Sequence, residues 1–306
     1  AITLEEILYW VEVVNDRVSS IVWGPIMLAL LIGTGLYLSI RMGFPQFSRF
    51  RFIMKSTIGT MFNSKHHKKD ASGVSPFQAV ATAMAGTIGT GSITGIATAI
   101  TMGGPGAVFW MWVTALVGGA SAFIESTLAQ VYKVADGDQF RGGPAYYIQY
   151  GLGKRWLGIV FAVLLILCFG FGFNGLQSYN ATSAFQFYLG SRFEPTHFAL
   201  LMGLLLAAGT AFVIFGGVHR ISFISSVVVP IMAIGYMALG LWVIVRNITV
   251  LPAVFGLIFA SAFDVQAIMG GFAGSCVAFG VKRGLFSNEA GMGSTPHAHA
   301  LANVKT

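Results

Sequence analysis

Residues 86–95 read Gly-Thr-Ile-Gly-Thr-Gly-Ser-Ile-Thr-Gly, in the middle of a stretch, 71–124, without a single Lys, Arg, Asp or Glu. A spanning helix needs about 20 apolar residues. The stretch therefore holds two spans, 77–100 and 105–131, divided at Thr101–Gly106. The first carries the glycine run at its centre. Glycine inside a helix costs about 1 kcal/mol relative to alanine, and Ser and Thr bond to their own backbone. Continuous helix is disfavoured there. Inside a bilayer, unwinding is tolerated only where the freed N–H and C=O groups face protein or a wet cavity.

The rest of the chain fits a bundle of such spans. Of 306 residues, 9% are charged and 55% are apolar. A soluble domain carries about 25% charge, so this chain cannot cover itself in water. Disorder, nucleic-acid binding and a disulfide-rich secreted fold are excluded together. Charge-free stretches recur at 18–40, 156–191, 195–219 and 221–245, and 247–281 holds only Asp264. Seven spans result: 20–40, 77–100, 105–131, 157–181, 198–216, 221–245 and 254–281. The apolar runs are continuous, as in helices, and lack the period-two alternation of a membrane barrel.

The loops alternate in basicity. Arg41, Arg49, Arg51, Lys55, Lys65, Lys68, Lys69, Lys133, Arg141, Lys154, Arg155, Arg220, Lys282, Arg283 and Lys305 fall on one side; Arg17, Arg192 and Arg246 fall on the other. The positive-inside rule makes the first side cytoplasmic. The N-terminus then lies outside and residue 306 inside, in a multi-pass protein of the cell membrane. Anionic lipid accounts for the net charge of +7 without a nucleic-acid partner. Lys65–Asp70 reads as a solvated loop. His297 and His299 are a weak metal signal without a nearby carboxylate or thiol. Cys168 and Cys276 fall inside spans, where neither a disulfide nor a reactive thiol is expected.

A second glycine run, Gly270-Gly271-Phe272-Ala273-Gly274-Ser275-Cys276, lies in the seventh span, five spans after the first. Interrupted spans at matching positions of two repeats point to a transporter site. Half-helix N-termini suit a carboxylate, and half-helix carbonyls suit a small cation. Small-xxx-small packing, as at Gly91…Gly95 and Gly270…Gly274, also explains such glycines. The five-span interval favours interruption and divides the chain into 1–76, a first repeat at 77–245, and 246–306, the start of an inverted partner.

Polar residues within spans are few. Glu125 either bonds to the freed ends of a broken helix or serves an ion or proton. Asp264 caps a half-helix or lines a vestibule. Asn174 and Gln177, three apart, share a helix face and either close a pocket or bond between helices. Gln78 reads as a gate or packing group, and Phe272 as a lid over a small substrate.

The strings ATAMAGTIGTGSITGIATAI, FRGGPAYYI and VKRGLFSNEAGMGS resemble the alanine/glycine:cation symporter family, over nearly the whole chain. The resemblance implies an all-α membrane protein of bacterial leucine-transporter-like (APC superfamily) architecture, two inverted five-helix repeats after one extra N-terminal helix. It implies sodium bound by backbone at Gly86, Thr87 and Gly89. Alanine or glycine would be held by Thr90, Gly91, Asn174, Gln177, Gly270, Gly271, Phe272, Gly274, Ser275 and Cys276. No cofactor beyond sodium as coupling ion is implied. The chain ends one helix into the second repeat, so four further spans are expected, and this length alone is not expected to transport. The expected function is sodium-coupled uptake of small neutral amino acids. The alternatives are proton coupling or a channel; a channel needs a polar stripe that Glu125 and Asp264 alone do not provide. An enzyme is not expected, since no nucleophile–base pair or metal triad falls within the spans.

Overall fold

The computed structural model describes residues 3–61, 74–137, 139–189, 195–264 and 276–302, and it is predominantly helical. Helix α1 (Leu4–Val22) opens on a capping box. The Thr3 hydroxyl accepts the Glu6 N–H at 3.3 Å, and the Glu6 carboxylate accepts the Thr3 N–H at 3.0 Å. Pro25 starts α2 (Pro25–Arg41), where its missing N–H is harmless. The two helices bend by 41° at Trp23–Gly24. Two short helices follow, α3 (Pro45–Ser48) and α4 (Phe50–Met61).

Five stretches of helix long and apolar enough to cross a membrane occupy residues 77–246. The first combines α5 (Pro76–Thr87) and α6 (Thr90–Gly103). Gly104, at φ 78°, turns the chain into α7 (Gly106–Val131), the division expected from sequence. A hairpin of β1 (Val134–Asp136) and β2 (Gln139–Arg141) and the short α8 (Pro144–Gly151) follow. The third span joins α9 (Arg155–Leu167), a π-helical segment (Cys168–Phe173) and α10 (Asn174–Leu189). The fourth and fifth are α11 (Pro195–Ile214) and α12 (Gly217–Arg246). Then come α13 (Leu251–Ala262), α14 (Cys276–Asn288) and α15 (Thr295–Ala300).

Helix α7 is the axis of the bundle. At 1.5 Å per residue it is about 39 Å long, enough to cross the bilayer. Helix α14 and the segment after it run parallel to α7. Gly280 meets Ala107 and Trp110, Gly284 meets Met111 and Thr114, and Asn288 and Ala290 reach Gly118. At the far end, Gln130 donates to the carbonyls of His299 (2.5 Å) and Ala302 (3.1 Å). Small residues make these approaches possible: Ala99, Ala107, Ala120, Ala129, Ala262 and Ala300 are 0% exposed. The large apolar side chains point outward instead, with Phe215 at 89% and Ile234 at 69% exposure. Small inside and large outside is the arrangement lipid permits and water does not. The protein is a multi-pass membrane protein.

Two expectations are corrected. The first span, set at 20–40, begins inside a bent pair of helices that starts at Leu4. Within 254–281, helix α13 ends at Ala262 and helix α14 begins at Cys276, and the expected break at Gly270–Ser275 lies outside the described residues. Residues 282–302, expected outside the spans in a cytoplasmic segment, pack along α7, with Glu289 at 4% and Ala302 at 4% exposure. Lys282 and Arg283 are half-buried, and their long stems let such charges lie against an apolar bundle.

A Cβ on Gly280 would lie 2.5 Å from the Ala107 carbonyl oxygen, whereas one on Gly240 meets nothing within 4 Å. Gly280→Ala should destabilise the protein by about 1–3 kcal/mol and lower its melting temperature in detergent. Gly240→Ala should leave that temperature unchanged or slightly raised.

Candidate functional site

The first glycine run does interrupt its helix. The α5 ladder ends with the Ile88 N–H on the Met84 carbonyl at 2.8 Å. Ile88 then leaves helical geometry (φ −89°, ψ 81°), and Gly89 is extended (φ −126°, ψ 176°). Helix α6 restarts at Thr90, with the Ser92 N–H on the Gly89 carbonyl at 3.1 Å. The Ser92 hydroxyl crosses the gap to the Thr87 carbonyl at 2.8 Å. The Thr87 hydroxyl turns back to Met84 at 3.2 Å. Beyond the ladder, Ala85 and Gly86 have carbonyls without helical donors, while Thr90 and Gly91 offer N–H groups in the first turn of α6. One joint thus presents acceptors from one half-helix and donors from the other.

Gln177 of α10 seals one side of the joint. A Cβ on Gly89 would lie 2.5 Å from Gln177 Nε2, so only glycine admits the amide there. Asn174 does not join it. Its amide donates to the Gly170 carbonyl at 3.3 Å, within its own π-helical turn. The two side chains do share a cavity of about 650 Å³ between α10 and α11, with Ala207, Thr210 and Ile214. The π-helical segment also stacks Phe173 on Phe286 of α14, with ring centres 5.4 Å apart.

A second interruption faces the first. Between α14 and α15, Glu289 (φ 50°), Gly291 (φ 87°) and Gly293 (φ 78°) carry the chain through left-handed conformations. Glu289 is notable there, since such geometry is rare outside glycine and strained backbone gathers at functional sites. The Asn288 side-chain oxygen accepts the Ala290 N–H at 3.0 Å. The Ser294 hydroxyl donates to the Glu289 carboxylate. A Cβ on Gly86 would lie 4.0 Å from Glu289 Oε2. From the other side, Glu125 of α7 accepts the backbone N–H groups of Gly291 and Gly293. These partners belong to the loop between α14 and α15 and not to either of the two glycine runs singled out in the sequence.

Gly86, Thr87, Gly89 and Gln177 therefore converge, and the backbone of Thr90 and Gly91 opens the adjoining half-helix. Gly270, Gly271, Phe272, Gly274 and Ser275 lie outside the described residues, as does the Lys65–Asp70 run. Cys276 is buried with Ala99, Ala107 and Met111, its thiol 3.5 Å from the Ser261 carbonyl. Gln78 caps α5 in a reciprocal pair with Ser75. His297 bonds the Gly293 carbonyl at 2.9 Å and His299 the Ser126 hydroxyl at 2.8 Å, so both serve packing. Sequence reasoning passed over Glu289 and Ser294. The available signal was Glu289-Ala-Gly-Met-Gly-Ser294, an acidic residue amid alternating glycines.

Two interruptions lie face to face beside a buried carboxylate, and interrupted helices are a recurrent feature of transporters. Residues 8–306 match the model of the sodium:alanine symporter family. The chain belongs to that family. It is 48% identical to the amino-acid carrier protein AlsT of Bacillus subtilis over 90% of this chain and 56% of that one. It is 43% identical to the probable sodium/glutamine symporter GlnT of the same organism, over 96% of this chain and 58% of that one. It is 42% identical to the sodium/alanine symporter AgcS of Methanococcus maripaludis, over 96% of this chain and 64% of that one. The chain thus spans less than two thirds of these relatives' length.

The contact at Gly89 is testable by a double-mutant cycle. Gly89→Ala should displace Gln177 and lower stability, and adding Gln177→Ala should restore most of the loss. The coupling energy, from melting in detergent, should be about 1 kcal/mol or more. Additive effects would show that the amide does not occupy that space.

Proposed function

We propose that the protein forms the first part of a secondary active symporter coupling sodium entry to uptake of alanine and glycine. The observation that carries this is the joint at Ile88–Gly89. It sets donor-poor carbonyls and acceptor-poor N–H groups within one site, under Gln177. An amino acid is a carboxylate and an ammonium on one carbon. The α6 N-terminus, at Thr90 and Gly91, suits the carboxylate. The carbonyls of Gly86, Thr87 and Gly89 suit sodium. In this reading Gly270, Gly271, Phe272, Gly274 and Ser275 hold the ammonium and side chain, with Gln177 closing the pocket. The relatives' names, an alanine symporter and a probable glutamine symporter among them, support the substrate class.

The five spans of 77–246 form the first of two inverted repeats of leucine-transporter-like architecture. By the positive-inside rule the N-terminus lies outside the cell membrane and residue 306 on the cytoplasmic side. Sodium entry yields about 2.3 kcal/mol per charge per 100 mV. Coupling follows when ion and amino acid together stabilise the closed state, each raising the other's affinity. Alternating access then releases both inside.

The test is uptake of labelled alanine by proteoliposomes containing the protein at its full native length. Uptake should saturate, show counterflow and collapse without an inward sodium gradient. An inward proton gradient sufficing without sodium would replace sodium by proton coupling, and unsaturable flux would indicate a channel. Gly271→Leu should abolish alanine binding; unchanged sodium-dependent uptake by that variant would place the pocket elsewhere.

A further inference from the structure

From Arg41 to Lys69 the chain holds seven basic residues and no acidic one. The described part of this segment begins where α2 stops. Helix α2 has 17 residues, and at 1.5 Å each its length of about 26 Å approaches the hydrocarbon thickness of about 30 Å. Arg41 and the turn behind it therefore lie at a membrane boundary, the one that carries most of the basic loops. The exit from α2 is fixed there. Gly43 (φ 65°) and Phe44 (φ 51°) reverse the chain, and the Phe44 N–H returns to the Ser39 carbonyl at 2.7 Å. The Gln46 amide donates to the buried Ser39 hydroxyl at 3.3 Å. Helix α3 then packs on α7, with Pro45 buried, and α4 follows it.

Two chemistries alternate on this segment. Phe47 and Phe50 are 63% and 56% exposed. Arg49, Arg51 and Lys55 are exposed as well, and none has a carboxylate partner among the described residues, where the one ion pair is Arg141 with Asp136. In α4, Phe50, Ile53 and Met54 share one face, and Arg51 and Lys55, four apart, share the flank beside it. Phe52 falls on the opposite side. Bare phenyl rings do not suit water, and unpaired guanidinium groups do not suit hydrocarbon. Both suit the boundary, where aromatic rings gather and long basic stems reach toward the headgroups.

We propose that α3 and α4 form an interfacial arm that docks on anionic phospholipid. Phe47, Phe50 and Met54 enter the acyl boundary, and Arg49, Arg51 and Lys55 pair with the phosphates. The charge selects the lipid: a segment with cations and no anion of its own takes its countercharge from a negative surface, which a zwitterionic one does not supply. Helix α1 gives the contrast. It is also exposed and amphipathic, but it carries Glu5, Glu6, Glu12 and Asp16 against Arg17 alone, so that attraction is absent. Because α3 packs on α7, the arm also ties the axis of the bundle to the membrane surface. Nothing in this depends on what the protein carries.

The experiment is amide hydrogen exchange of residues 44–55 in the protein at its full native length, held in nanodiscs of phosphatidylcholine alone or mixed with phosphatidylglycerol. Phosphatidylglycerol should slow exchange there by about 10-fold or more, and high salt should remove most of that slowing. The triple variant Arg49→Gln, Arg51→Gln, Lys55→Gln should exchange like wild type in phosphatidylcholine and gain nothing from phosphatidylglycerol. Exchange in α1 should not respond to the lipid. Equal exchange in the two lipids overturns the proposal, whether the segment is bare in both or covered in both by its apolar face or by a second copy of the chain. So does a slowing that the triple variant keeps, or one that α1 shares. If the triple variant does not fold, the salt dependence in wild type decides.

Discussion

Backbone amides and carbonyls released inside an apolar bundle have no water to turn to, and each unmet group costs several kcal/mol. Much of this structure is arranged around meeting that demand. At the first interruption, the Ser92 hydroxyl bridges to Thr87 and the Gln177 amide fills the space that Gly89 leaves open. At the second, Glu125 takes two amides, from Gly291 and Gly293. Away from the interruptions, hydroxyls within the spans bond back to their own helix, as Thr98 does to Thr94 and Thr127 to Phe123. What the protein leaves incompletely met, around Gly86 and Thr90, is what a charged solute and its ion can complete.

The same demand explains the packing. Elements that must hold a carboxylate and a glycine loop against α7 need to approach it closely, and alanine and glycine permit this. Gly280 and Gly284 face α7 from one side, and Gly35 of α2 packs onto Val117 from another, a Cβ there falling 2.7 Å from its Cγ1. Bulk is displaced to the surface, where α11 and α12 present Leu, Ile, Val and Phe. The composition that excluded a soluble fold is thus also the reason for the core's character.

Much of this was legible in sequence. Charge-free stretches located the five spans of 77–246, and the Gly86–Gly95 run located the first joint, because glycine density reports directly on helix cost. Glu125 was legible as a group needing partners. Other features were not. Glu289 drew no reading of its own, since it falls outside the expected spans and local charge does not reveal that Gly280 and Gly284 dock the whole segment on α7. Asn174 and Gln177 line one cavity, but the Asn174 amide turns back to the Gly170 carbonyl of the π-helical turn, a bond that their spacing does not announce. The bend at Gly24 was invisible in hydropathy, which runs across it unchanged.

The joint at Ile88–Gly89 also has a mechanical meaning. The segment 276–302 is pinned along α7 by glycine contacts at one end and by Gln130 and Lys133 at the other, where Lys133 donates to the Ala302 carbonyl at 2.8 Å. These two elements resist sliding past one another. Helices α5 and α6, by contrast, are levers of 12 and 14 residues meeting at two unwound ones. At 1.5 Å per residue the arms are about 18 and 21 Å, and a swing of about 10° moves a tip by about 3 Å. That is roughly the width of a water molecule, so a modest pivot against a fixed post is enough to seal or unseal a passage for something as small as alanine.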